Sequence, residues 1–168
     1  MAATARPRRS VLYMPGSNAR AMEKGRSLAA DGLILDFEDA VAPDAKLEAR
    51  RLVAEALAGG GYGLREILVR TNGLETEWGQ GDIAAVAKMP KVESGDMVRK
   101  AEAILDASGA PKDMAIWCMI ETPLGVLNAL DIARSTPRLG GFVMGTSDLA
   151  KDLHCLHTPE RMPFMTSL

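Results

Sequence analysis

Several features that would classify a chain at once are missing from this one. It holds only two cysteines, Cys118 and Cys155, in 168 residues. Two thiols do not make a disulfide framework, and Cys118 sits inside an apolar run, so a reducing cytoplasmic setting is the simplest expectation. No run of about 18 apolar residues occurs, which argues against a membrane-spanning helix. Neither sign of charge prevails: 20 Lys and Arg against 22 Asp and Glu leave a net charge of −2. That balance gives no electrostatic reason to expect a nucleic-acid partner. The opening MAATARPRRS carries three arginines but no apolar core, so it does not read as a secretory signal. Low-complexity segments and long linkers are absent. So are G-x-G-x-x-G and the P-loop sequence, which removes the best-known phosphate cradles. Without a G-x-S-x-G elbow, a Ser-His-Asp hydrolase is unsupported. His154, Cys155 and His157 offer three zinc-type ligands, and no second Cys/His group completes a set of four.

What is present is alternation. Apolar content of 47% and charged content of 25% suit a soluble globular domain, and the length allows one domain with a sizeable core. SVLYM (10–14) reads as a strand stopped by Pro15-Gly16, after which Ser17 or Asn18 can cap a helix running to about Ala30. GLILDF follows as a strand. Pro43 and Asp44 open a helix with Leu47, Leu52, Val53 and Leu57 near helical spacing, and GGGYG ends it. EILVRTNG is the next strand. DIAAVAKM and VRKAEAILDAS read as helices, AIWCMIE as a strand, GVLNALDIARS as one helix, and GFVMGTS as the last strand. Strands alternating with helices predict parallel βαβ units, hence an α/β fold.

The apolar runs LILDFEDAV, ILVRTNG, IWCMIETPLG and GFVMGTSDLAKDL each end in a charged group followed by turn residues. Side chains at the C-terminal ends of parallel strands gather on one face, which in a (β/α) barrel is the active-site face. This places Asp36, Glu38, Asp39, Arg70, Glu121 and Asp148 around one pocket. Glu121 and Asp148 each end a strand. They suit Mg²⁺, which takes one or two protein carboxylates and fills its other positions with water and substrate oxygens. The competing reading is that they cap the helices that follow. Arg70 can hold a carboxylate or a developing oxyanion through two parallel hydrogen bonds, or pair structurally with Glu38 or Asp39, or do both. Asp36, Glu38 and Asp39 crowd three negative charges into four residues, which needs an offsetting cation or donors. The Pro15-Gly16-Ser17-Asn18 turn resembles an anion-binding turn, and Lys24 beyond it either reaches a phosphate or is solvated surface.

RRSVLYMPGSN, LILDFEDAV, ILVRTN, PKVES, MIETPLG and GTSDLAKDL together, in this order, resemble the citrate lyase β-subunit-like group of the HpcH/HpaI aldolase superfamily. That group includes malyl-CoA, β-methylmalyl-CoA and citramalyl-CoA lyases. The resemblance implies a TIM-type (β/α)8 barrel, Mg²⁺ (with Mn²⁺ able to substitute) on Glu121 and Asp148, and a substrate contact at Arg70. It places acyl-CoA contacts at Tyr13 and Lys24, and an acidic pair at Glu38 and Asp39 near the metal and Arg70. It implies cleavage of a 3-hydroxyacyl-CoA to acetyl-CoA and an α-keto acid, in a trimeric or hexameric homo-oligomer. The alternatives are a malyl-CoA thioesterase or malate-synthase-like enzyme, and a citrate lyase β subunit working within a complex.

The resemblance also exposes departures. The family carries an apolar strand just before PKVES, whereas here the helix-like DIAAVAKM runs straight into Pro90. A full barrel takes roughly 250 residues. We therefore expect a single but incomplete barrel domain over residues 1–168, lacking a strand between Met89 and Pro90 and the C-terminal part. In the family that part carries a lid with a catalytic Asp.

Overall fold

The computed structural model describes residues 8–85 and 93–168, which fall into two compact units divided between Lys88 and Met89. The Met89–Pro90 join, where the sequence predicts a missing strand, lies outside the described residues.

The first unit contains β1 (Val11–Pro15), α1 (Ala19–Gly25), β2 (Gly32–Asp36), α2 (Lys46–Gly59), β3 (Glu66–Arg70) and α3 (Gly79–Ala85). The strands form one parallel sheet in the order β1-β2-β3, with Pro15 opposite Asp36 and Asp36 opposite Arg70. Every residue of β2 is buried, as expected of a central parallel strand covered on both faces. Side chains alternate across the sheet. Leu33 and Leu35, with Met14 and Val69 from the flanking strands, pack against Met22 of α1 and Val53 of α2. Each such burial contributes roughly 1.5–3 kcal/mol. By the same alternation Ile34 and Asp36 face the other way. Gly16 lets the chain turn tightly after β1: its N–H bonds Asp36 O at 2.8 Å, and a Cβ there would stand 2.7 Å from that oxygen.

The second unit contains α4 (Gly95–Ala107), β4 (Ile116–Ile120), α5 (Pro123–Leu127), α6 (Ala129–Ala133), β5 (Leu139–Met144) and α7 (Thr146–Asp152). β4 and β5 pair in parallel, with Ile120 opposite Met144. Cys118, central in β4, is fully buried, and desolvation pushes its thiol up to about 12. Among the described residues the strands make a three-stranded and a two-stranded parallel sheet. The α/β class and the parallel order hold, while the incomplete (β/α)8 barrel remains an expectation. No helix among these residues is long and apolar enough to cross a membrane.

Three local expectations need correction. The helix after Asn18 stops at Gly25 instead of reaching Ala30. Leu47 is 72% exposed, and the buried stripe of α2 runs through Lys46, Ala49 and Val53. GVLNALDIARS is two short helices that meet at Asn128, whose side-chain amide donates to Glu93 O at 2.7 Å. The Asn128 backbone, at φ −93° and ψ 8°, departs from helical values at the join.

Candidate active site

The C-terminal edge of the first sheet is organised around Arg70. Its Nε and Nη2 donate to the two oxygens of Asp36 at 2.8 and 2.5 Å, a two-bond fork set by the Asp36–Arg70 strand register. Nη1 reaches Asp39 at 2.9 Å and Glu38 at 3.0 Å. The Tyr13 ring lies 5.0 Å from the guanidinium carbon, within cation–π range. Burial works against the charge on Arg70, but the hydrogen bond to Asp36 and the charges of Asp36, Glu38 and Asp39 outweigh it and raise its pKa. Asp36 is 1% exposed and also accepts from the backbone N–H groups of Glu38 and Ala40, which folds the acidic turn back onto it. Crowded negative charge in this turn is offset by the Arg70 guanidinium and by backbone N–H donors. The three carboxylates differ: Asp36 is buried, Glu38 half-buried, and the Asp39 side chain 74% exposed.

Behind this edge lies a polar network that sequence reasoning missed. Lys46 is buried and donates to Phe37 O at 2.6 Å, Glu38 O at 2.8 Å and Asn72 Oδ1 at 2.9 Å. Asp82 accepts from Arg50 Nε at 2.6 Å and from the backbone and side-chain nitrogens of Asn72 at 2.9 and 2.6 Å. The sequence signal was thin. Lys46 and Asp82 look like ordinary polar residues of helices, and only burial distinguishes them.

The second unit offers a different donor set. Glu121 directly follows β4 and is 3% exposed. Thr122 caps α5 by accepting from Gly125 N at 3.1 Å, which turns the chain sharply away after the carboxylate. Asp148 lies exposed in the first turn of α7, three residues past Gly145. Gly145 bonds Ile120 O at 2.9 Å and packs so close that a Cβ on it would stand 2.6 Å from Glu121 Oε2. The Glu121 carboxylate is therefore lodged against the turn that leads into Asp148. Hard carboxylate oxygens such as these are the donor type Mg²⁺ takes, with water and substrate filling the remaining positions. Among the described residues no group of three or more His, Cys, Asp and Glu forms a complete metal cage. A two-carboxylate site is what the sequence predicts.

The expected residues thus divide by unit. Asp36, Tyr13, Glu38, Asp39 and Arg70 come together in the first, with Asp36 taking the two-bond pairing to Arg70 that the sequence assigned to Glu38 or Asp39. In the second, Glu121 directly follows β4, but Asp148, expected at a strand end, lies exposed in the first turn of α7, four residues past β5, where an acidic side chain also favours the helix N-terminus. Lys24 joins neither set: it is exposed in the last turn of α1, roughly 7.5 Å along the helix axis from Ala19. His157 contacts Thr146 Oγ1 at 3.2 Å and the Phe164 ring at 5.3 Å.

Comparison with known proteins bears on what these groups serve. A (3S)-malyl-CoA thioesterase of Cereibacter sphaeroides is 47% identical over 175 aligned residues, covering 100% of this chain and 59% of that protein. The citrate lyase subunit beta of Escherichia coli is 35% identical, covering 92% of this chain and 55% of that protein. The crystal structure of CitE from Mycobacterium tuberculosis with magnesium, acetoacetate and coenzyme A superposes with a TM-score of 0.67 at 25% identity, covering 89% of this chain and 54% of that one. This chain thus spans little more than half the length of these relatives. The HpcH/HpaI aldolase/citrate lyase family model matches residues 9–166, nearly the whole sequence, and the chain belongs to that family.

Proposed function

We propose that the protein is a Mg²⁺-dependent enzyme acting on malyl-type 3-hydroxyacyl-CoA thioesters. The observation that carries this is the Glu121 carboxylate lodged against Gly145, at the turn between β5 and the first turn of α7, where Asp148 lies. Support comes from the thioesterase at 47% identity and from the relative crystallised with magnesium and coenzyme A. The proposal takes residues 1–168 as a single, partial barrel domain, and the roles are assigned unit by unit. Glu121 and Asp148 hold the metal, which supplies Lewis acidity toward substrate oxygens. Arg70 steadies negative charge on the substrate. Asp36 keeps the guanidinium fixed through Nε and Nη2, while the solvated Asp39 carboxylate is the partner a substrate anion displaces from Nη1. Tyr13 lies against the same guanidinium and lines the acyl-CoA path; Lys24, on the exposed face of α1, is the weaker candidate for a phosphate contact.

Thioester hydrolysis is the outcome favoured by the 47% relative. Carbon–carbon cleavage to acetyl-CoA and an α-keto acid is the second reading, favoured by the family's aldolase and citrate lyase members and by the citrate lyase subunit beta at 35% identity. Product analysis with malyl-CoA separates them: free CoA with malate marks hydrolysis, and acetyl-CoA with glyoxylate marks cleavage. The metal assignment is tested by titrating Mn²⁺ into wild type and Glu121→Gln and following the unbound ion by electron paramagnetic resonance. We expect the variant to lose binding and turnover while keeping its circular dichroism spectrum. Full metal-dependent activity in Glu121→Gln would overturn the assignment.

A further inference from the structure

Lys46 is the first residue of α2, a position usually open to water, yet it is only 5% exposed. Its ammonium has three N–H donors, and three acceptors meet it: Phe37 O, Glu38 O and Asn72 Oδ1. The Trp78 ring covers it at 5.3 Å. These acceptors are specific to one place. Phe37 and Glu38 are the first two residues after β2, and Asn72 is two residues beyond Arg70. Asn72 Nδ2 also donates to Phe37 O at 3.1 Å, and Phe37 N donates to Arg70 O at 2.8 Å. One buried cation therefore ties the exit of β2 to the exit of β3. Lysine is rarely buried without such partners. Desolvation lowers the Lys46 pKa, opposed by the nearby charges of Asp82, Asp36, Glu38 and Asp39. A residue needed only for packing would carry no such cost.

We infer that Lys46 is a positioning residue for Arg70: by pinning the carbonyls of Phe37 and Glu38 it fixes the turn from which Glu38 and Asp39 orient the guanidinium. The inference rests on the reading of Arg70 as the anion-binding group and assigns Lys46 no contact with substrate. Without the ammonium, the strand register still holds Asp36 against Arg70. The Glu38–Asp39 turn, however, loses its anchor, and Nη1 loses its fixed direction. The consequence falls on recognition of the substrate's negative charge more than on the reacting bonds.

The test uses the full chain carrying Lys46→Met, a replacement of similar length without charge. Reaction with phenylglyoxal, followed by peptide mass mapping, reads the exposure of each arginine. Arg70 should react several-fold faster in the variant, while Arg65, half-buried in the same unit and donating to Leu28 O, should keep its wild-type rate and so exclude unfolding of that unit. With malyl-CoA as substrate, KM should rise roughly ten- to hundredfold with a smaller fall in kcat. Adding Lys46→Met to Arg70→Lys should cost nothing further, because both changes remove the same interaction. Unchanged Arg70 protection in a folded Lys46→Met protein, or additive losses in the double variant, would overturn the inference. Should Lys46→Met not fold, Asn72→Ala removes the same tie from its other end and is held to the same outcomes. If Arg70→Lys alone leaves KM unchanged, the anion-site reading fails, while Arg70 protection still decides whether Lys46 positions it.

Discussion

Arg70 makes more contacts with carboxylates than its place at the end of a strand suggests, and their unequal burial makes its replacement informative. Asp36 is buried and depends on the guanidinium for two of its hydrogen bonds. An ammonium is a point charge and cannot span both oxygens of Asp36 in the plane of a fork. Arg70→Lys should therefore lower kcat/KM strongly and also destabilise the fold by about 1–3 kcal/mol, the cost of leaving a buried group short of a partner. Arg70→Ala should cost more, about 3–5 kcal/mol, because a buried charge is then uncompensated. Paired denaturant titrations and kinetics check this. Near-normal values of both in Arg70→Lys would reduce Arg70 to a replaceable surface charge. The sequence exposes Arg70, Glu38 and Asp39 because charged residues closing apolar runs stand out. It hides Lys46, whose role depends on three acceptors brought together by the fold, two of them backbone carbonyls with no sequence signature.

Among the elements, the junctions between β4, β5 and α7 show how backbone shape sets side-chain chemistry. Gly145 directly follows β5, bonds back to β4 through Ile120 O, and leaves no room for a side chain beside Glu121. A methyl group there would meet the Glu121 Cβ and Oε2, each at 2.6 Å. The clash lies against a carboxylate held 3% exposed, so relief requires moving either Glu121 or the start of α7. Gly145→Ala should cost roughly 1–3 kcal/mol, the usual range for overpacking. It should also weaken Mn²⁺ binding, since either movement displaces one of the two proposed metal carboxylates. Thermal unfolding with a parallel metal titration measures both. A variant with reduced stability but wild-type metal affinity would separate the glycine's packing role from the metal site. Strand positions are legible here because each run is short, apolar and stopped by a turn residue. The split of the α5–α6 region is not legible, since apolar spacing continues through Asn128 and only its backbone, at φ −93° and ψ 8°, departs from the helix.

For the molecule as a whole, the open matter is whether the two units behave as one domain. Parallel sheets are stable when both faces are covered. A three-stranded and a two-stranded sheet are each small on their own. The single-barrel proposal therefore predicts that neither unit unfolds independently. The sequence places one tryptophan in each, Trp78 in the first and Trp117 in the second. Trp117→Phe leaves fluorescence reporting the first unit, and Trp78→Phe leaves it reporting the second. For one cooperative domain the urea midpoints of the two variants should each coincide with the midpoint of their own circular dichroism transition. A core change in the first unit such as Leu35→Ala, costing about 2–5 kcal/mol, should then shift the transition seen by Trp117 as well. Two separated midpoints, or a Trp117 transition indifferent to Leu35→Ala, would mean that the units fold separately.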